Sequence, residues 1–130
     1  MESLRWFALV PLVALLQASA TAQETEDCER ITLAQMPVRG TFTAEHHERF
    51  YCVSAHRGQH MKITMGKTPD LDLQCNVYFP RGNLSPGAST AAPVPCFDEQ
   101  LPDDGLYRIR IGQRFGGKKP GRFEFTIELK

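Results

Sequence analysis

The sequence predicts an all-β fold, an antiparallel β-sandwich or jelly roll of about eight strands with two disulfides. Apolar and polar residues alternate in short segments, most clearly over residues 106–111 and 122–129, and this period of two is typical of strands with one buried face. Turn residues separate the segments regularly, as at Arg57-Gly58, Pro80-Arg81-Gly82 and Asp103-Asp104-Gly105. The third observation is the even number of cysteines, which is four.

The first 22 residues have the pattern of a secretory signal peptide. Arg5 precedes an apolar run from Trp6 to Leu16, and small residues follow at positions 18–22. The run has about eleven residues, whereas a membrane-spanning helix needs about twenty, so we expect cleavage and no membrane anchor. The sequence therefore predicts a periplasmic or secreted protein, with a single β-sandwich domain over residues 23–130.

Eight segments downstream carry the strand pattern, and each is bounded by turn or loop residues. No segment shows the 3.6-residue period of an amphipathic helix. The predicted strands are residues 30–34, 38–43, 49–55, 60–65, 71–79, 96–101, 106–111 and 122–129. In the last two, alternation assigns Tyr107, Ile109, Ile111, Phe123, Phe125 and Ile127 to the inner face of the sandwich.

All four cysteines lie in the part of the chain that we expect to be exported. An even number of cysteines in an oxidising compartment indicates two disulfides. Three pairings are possible; we favour Cys28 with Cys52, which ties the N-terminal arm to a strand, and Cys75 with Cys96, which closes a loop rich in glycine, serine and proline. The long spacings and the lack of a Cys-x-x-Cys motif argue against a zinc site.

The remaining residues form no pattern that is typical of catalysis or of a metal site. The four histidines are His46, His47, His56 and His60. Adjacent residues of a strand point to opposite sides, and a spacing of four brings side chains together only on a helix. Ser54 and Ser85 lack the surroundings of a catalytic nucleophile. We therefore expect a protein that is not an enzyme and that uses no cofactor, and we assign no residue as a metal ligand.

Asp70-Leu71-Asp72 opens a predicted strand after a proline, with both carboxylates on the solvent side. Two carboxylates can contribute to a calcium site, but calcium takes six to eight oxygen ligands. A turn-forming and solubilising role is favoured. The sequence alone leaves calcium binding open.

The closing segment concentrates positive charge. From Gly105 to Lys130 there are seven Lys and Arg residues against two Glu residues, although the whole chain has fifteen of each sign. The pattern predicts a hairpin whose glycine-rich tip carries Arg114, Phe115, Lys118 and Lys119 as candidate partner-binding residues. The other interpretation is that the charges keep the tip soluble and block strand aggregation. Because charge is balanced overall, nucleic-acid binding is not expected.

Three stretches together resemble the bacterial pre-peptidase C-terminal domain family. They are Phe50 to Gln59, with its Ala-x-x-Gly turn between strands, Asp70 to Gly82, with an Asp-x-Asp strand and a Pro-x-Gly turn, and the strand from Leu101 to Ile111. The similarity covers about 90 residues. It implies a β-sandwich, which in that family usually accompanies a secreted peptidase.

Among stand-alone relatives, the chain is similar to the periplasmic inhibitors of goose-type lysozyme. In that family a basic loop blocks the active-site cleft, and Gln113, Arg114 and Lys118 occupy its glutamine, arginine and second basic positions. This resemblance implies a lysozyme or another cell-wall muramidase as partner. Two alternatives stay open: a peptidoglycan- or carbohydrate-binding module using Tyr51, Tyr78 and Phe79, and an immunity protein against an injected muramidase. The sequence does not specify the lysozyme type or the oligomeric state.

Overall fold

A computed structural model of the protein describes residues 27–66, 68, 70–85 and 95–130. The predicted signal peptide therefore lies outside the described residues. Within these ranges the helices are two short 3-10 turns, Leu33–Gln35 and Arg114–Gly116. None of the helices in the described part of the chain is long and apolar enough to cross a membrane.

In the described part of the chain, eight strands form two four-stranded sheets, which confirms the predicted fold class. The strands are β1 (Glu29–Arg30), β2 (Val38–Phe42), β3 (Arg49–Ala55), β4 (His60–Met65), β5 (Leu73–Tyr78), β6 (Pro95–Gln100), β7 (Gly105–Gln113) and β8 (Gly121–Leu129). One sheet has the order β1-β3-β7-β5 and the other β2-β8-β4-β6. Pairing is antiparallel except that β1 runs parallel to β3.

The core lies between the sheets and is built from the inward-facing alternate residues of each strand. Tyr51 of one sheet contacts Phe125 and Phe123 of the other, with ring centroids 5.1 and 6.3 Å apart. Gly40 of β2 makes this packing possible, because a Cβ atom there would lie 2.3 Å from the Phe123 ring and 2.6 Å from the Tyr51 hydroxyl. The residues that alternation assigned to the inner face of β7 and β8 are all buried.

The last two strands do not form the predicted hairpin, and this expectation was wrong. Strand β7 pairs with β3 and β5, whereas β8 pairs with β2 and β4 in the opposite sheet. Residues 114–120 therefore arch from one sheet to the other across the end of the sandwich. Alternation reports which side of a strand is buried and does not report which strand lies beside it, so hairpin and arch give the same sequence pattern.

Both predicted disulfides are confirmed. Cys75 of β5 is joined to Cys96 of β6, with Cα atoms 5.9 Å apart, and this bond links an edge strand of one sheet to an edge strand of the other. Cys28 is joined to Cys52 of β3, with Cα atoms 5.6 Å apart, and it fastens the start of the described chain to a central part of its sheet.

The ends of the strands differ from the predicted bounds in two informative places. The first predicted strand, residues 30–34, is shortened to β1 because Leu33–Gln35 forms a 3-10 turn, in which the Gln35 side chain accepts a hydrogen bond from the Thr32 amide at 3.0 Å. Strand β5 begins at Leu73. Asp70 and Asp72 therefore belong to the turn that precedes the strand.

Candidate functional site

The candidate site is the connection between β7 and β8, residues 114–120, which we call the basic arch. Its base is closed by Gln113, a buried residue at the end of β7. The Gln113 side chain donates to the Lys119 carbonyl at 2.9 Å and accepts from the Lys119 amide at 3.3 Å. The Gly117 amide also donates to the Arg114 carbonyl at 3.2 Å. The arch is therefore held in one shape by its own hydrogen bonds.

Phe115 projects from the arch into solvent. Its exposed fraction is 91%, the highest among the exposed large hydrophobic residues that the structure describes. Its backbone is left-handed, with φ 56° and ψ 31°, a conformation that costs an L-residue about 1–2 kcal/mol. The Arg114 guanidinium lies 5.0 Å from the ring centroid. Residues in strained backbone conformations cluster at functional sites, so Phe115 is a candidate contact residue.

Arg114 also faces an acidic turn of its own chain. Its amide donates to the Asp72 carbonyl at 2.8 Å, and its Nη1 atom lies 4.0 Å from Asp72 Oδ1. These side chains are 40% and 57% exposed, so the ion pair contributes no more than about 1 kcal/mol. A groove of about 430 Å³ separates the acidic turn from the arch, and Asp70, Asp72, Arg114 and Lys119 line it.

The structure brings the four predicted partner-binding residues into one short connection. Phe115, Lys118 and Lys119 are exposed and Arg114 is half-buried. Sequence reasoning did not foresee the contact of Arg114 with Asp72 or the support that Gln113 provides. The pairing of Leu73 with Gln113 explains the first, because it places the start of β5 beside the end of β7.

None of the four histidines is buried: His46, His56 and His60 are exposed, and His47 is half-buried. His60 contacts Asp98, and His56 lies 3.7 Å from Asp104. His46 lies in the turn after β2, where its amide donates to the Thr43 hydroxyl. Among the described residues, no group of three or more His, Cys, Asp and Glu side chains is placed to hold a metal ion.

The aromatic residues of the alternative carbohydrate-binding interpretation do not form a common surface. Tyr51 lies in the core, where burial raises the pKa of its hydroxyl. Phe79 packs edge-on against Tyr107, with ring centroids 5.6 Å apart. Tyr78 is half-buried on the outer face, 5.6 Å from the Arg108 guanidinium, which also stacks on Phe50 at 4.3 Å. Two of the three rings are therefore occupied by packing inside the domain.

Comparison with known proteins gives a likeness in fold. No family model matches the chain, and no curated protein matches it. The structure is similar to that of PliG from Aeromonas hydrophila, a periplasmic lysozyme inhibitor of g-type lysozyme, at 19% identity and a TM-score of 0.61, covering 79% of this chain and 96% of that chain. The structure is also similar to that of PliG from Salmonella Typhimurium, a periplasmic lysozyme inhibitor of g-type lysozyme. That protein is 15% identical to this chain, with a TM-score of 0.55, and the similarity covers 78% of this chain and 96% of that chain.

A third similar structure is the pre-peptidase C-terminal domain of a collagenase from Bacillus anthracis. It is 15% identical, with a TM-score of 0.60, covering 79% of this chain and 96% of that chain. At these identities the likeness is one of fold. The resemblance in fold that the sequence motifs predicted is thereby confirmed.

Proposed function

We propose that this chain is an exported, non-enzymatic inhibitor of a cell-wall muramidase, a goose-type lysozyme, and that its basic arch enters the acidic active-site cleft of that enzyme. The observation that carries the proposal is Phe115. An almost fully exposed phenylalanine beside Arg114, on an arch fixed by hydrogen bonds, has the composition of an interface anchor, where aromatic and arginine side chains are enriched.

The chemistry of the target fits the chemistry of the arch. A muramidase cleaves a glycosidic bond between carboxyl groups that flank the substrate. Arg114 is suited to a two-pronged contact with a carboxylate, worth about 1.5–3 kcal/mol per charge-assisted hydrogen bond. Lys118 and Lys119 add positive charge that accelerates association with an acidic cleft. Because the arch is preformed, little conformational entropy is lost on binding.

Three further features support the proposal. Two of the structures with a similar fold are named as periplasmic inhibitors of g-type lysozyme. The N-terminal sequence has the pattern of a signal peptide, and both pairs of cysteines are bridged, as is usual for proteins of oxidising compartments. Periplasmic or secreted location is thus part of the same proposal.

The test measures clearing of cell walls by goose-type and chicken-type lysozymes, with and without the mature protein. We expect selective protection against the goose-type enzyme. The double variant Arg114→Ala, Lys118→Ala should weaken inhibition roughly 100-fold or more, because about 1.5–3 kcal/mol is lost for each charged contact. The free energy of unfolding should fall by no more than about 2 kcal/mol, because Arg114 loses only its exposed contacts with Asp72 and Phe115.

The matched control is the double variant Arg57→Ala, Arg81→Ala. It removes the same charge from turns at the opposite end of the sandwich, next to Asp104 and Asp103. This variant should inhibit like the unchanged protein. Full inhibition by the arch variant would contradict the proposal. Retention of the protein on purified peptidoglycan without any lysozyme would instead favour a carbohydrate-binding module.

A further inference from the structure

The acidic turn beside the arch is an unexpected feature for a surface that is meant to meet carboxylates. Asp70 and Asp72 are exposed and line the same groove as Arg114 and Lys119. The two aspartates offset two of the three positive charges of Arg114, Lys118 and Lys119. The end of the molecule that carries the arch is therefore a surface of mixed charge, with Arg114 next to Asp72.

We infer that Asp72, together with Asp70, determines the specificity of the arch by competing with outside anions for Arg114. This inference rests on the proposed function and adds a partner requirement to it. The partner must present carboxylates that converge on Arg114 inside a cleft. A flexible polyanion with charges spread in water does not meet that requirement.

The competition follows from the geometry of the pair. An exposed ion pair whose atoms are 4.0 Å apart changes an equilibrium by no more than about fivefold. A carboxylate in a cleft from which water is excluded can form two aligned hydrogen bonds with the guanidinium and displaces Asp72. A solvated anionic polymer gains little from Arg114 and is repelled by the two aspartates, so it is disfavoured.

The charge of Asp72 can be changed without disturbing the backbone that supports the arch. The Arg114 amide donates to the main-chain carbonyl of residue 72, and asparagine retains this carbonyl. Asp72→Asn therefore removes the negative charge and keeps the hydrogen bond. The double variant Asp70→Asn, Asp72→Asn removes both charges at the groove.

The control is Asp104→Asn. Asp104 is exposed, accepts a hydrogen bond from the Arg57 amide and lies 3.7 Å from His56, contacts that asparagine can largely keep. It precedes β7 at Gly105, whereas Arg114 follows β7 after Gln113, so strand geometry separates the two by about 30 Å. The control changes the net charge as much as Asp72→Asn does, far from the arch.

The experiment measures inhibition constants against goose-type lysozyme and the salt concentration that elutes each variant from heparin–agarose, a sulfated polyanion. We expect Asp72→Asn to tighten inhibition by about two- to fivefold and the double variant to elute from heparin at a distinctly higher salt concentration. Asp104→Asn should match the unchanged protein. Thermal unfolding checks that every variant is folded.

The inference is overturned if Asp72→Asn inhibits lysozyme no better than Asp104→Asn and the double variant elutes from heparin at the same salt concentration as Asp104→Asn. Weaker inhibition by Asp72→Asn would overturn it as well. The outcome for the proposed function is read separately, from the Arg114→Ala, Lys118→Ala variant. If that variant inhibits fully, or if the unchanged protein inhibits no lysozyme, the proposed function fails. The heparin comparison then decides alone whether the aspartates compete for Arg114.

Discussion

Substitutions of Phe115 distinguish the effect of its strained backbone on stability from the effect of its ring on inhibition. The left-handed backbone at φ 56° costs a non-glycine residue about 1–2 kcal/mol. Glycine removes this cost but adds about 0.5–1 kcal/mol of conformational entropy to the unfolded chain. Glycine and alanine both lose the contact between the ring and Arg114, which is worth about 0.5–1 kcal/mol at an exposed site.

These contributions nearly cancel for glycine and do not cancel for alanine. We expect Phe115→Gly to change the free energy of unfolding by less than about 1 kcal/mol, and to be more stable than Phe115→Ala by about 0.5–1 kcal/mol. Inhibition should respond differently. Burying a phenylalanine side chain contributes about 1.5–3 kcal/mol, so both variants should inhibit roughly 10–150-fold more weakly.

The assay combines urea denaturation, followed by circular dichroism, with inhibition constants from cell-wall clearing. Leu84→Ala is the matched control, because Leu84 is also an exposed apolar residue, 47% exposed, in the turn that follows β5. It should inhibit normally. Greater stability of Phe115→Ala than of Phe115→Gly would refute the conformational reasoning. Unchanged inhibition by both Phe115 variants would show that the ring makes no contact with the partner.

Further predictions concern two buried tyrosines and one disulfide. Tyr107→Phe removes a hydroxyl that donates to the Asp103 carbonyl at 2.8 Å and accepts from its amide, so it should lower the free energy of unfolding by about 1–2 kcal/mol. Tyr51→Phe should maintain or raise stability, because the buried Tyr51 hydroxyl has no hydrogen-bond partner among the described residues. Burial raises the pKa of both tyrosines above 10.0. The unfolded chain therefore loses these protons first, and the free energy of unfolding should fall as the pH rises above 10. The fall should be less steep in the variant that carries both Tyr→Phe substitutions. Urea titrations at several pH values measure these effects, and a stability that does not change above pH 10 would contradict them. Cys75→Ala with Cys96→Ala, which opens a loop with a sequence separation of 21, should cost about 3 kcal/mol, and an unchanged urea midpoint would contradict this.

Strand positions were predictable because local signals determine them. Strands β3 and β4 have the predicted bounds, since the turn between them contains Gly58 at φ 91°, a conformation that glycine adopts readily. The favoured disulfide pairing was also confirmed; it joined the N-terminal arm to a strand and closed a loop rich in glycine, serine and proline. Strand positions and this choice of pairing needed no knowledge of which strands lie side by side.

Strand partners and the surroundings of Arg114 were not predictable in the same way. Alternation in β7 and β8 is satisfied in either sheet, so the hairpin and the arch were equivalent at the level of sequence. The contact between Arg114 and Asp72 exists because β5 pairs with β7, and no local pattern encodes that neighbour. The left-handed backbone of Phe115 has no sequence signal either, because such positions usually favour glycine or asparagine.

The arch has one leg in each sheet, and this has a mechanical consequence. Sliding of one sheet over the other would carry the two legs in different directions and distort the surface between them. The bond between Cys75 and Cys96 joins the two layers at one edge and limits such sliding. Reduction of a sulfur–sulfur bond on the flank of the sandwich would therefore loosen residues that it never touches.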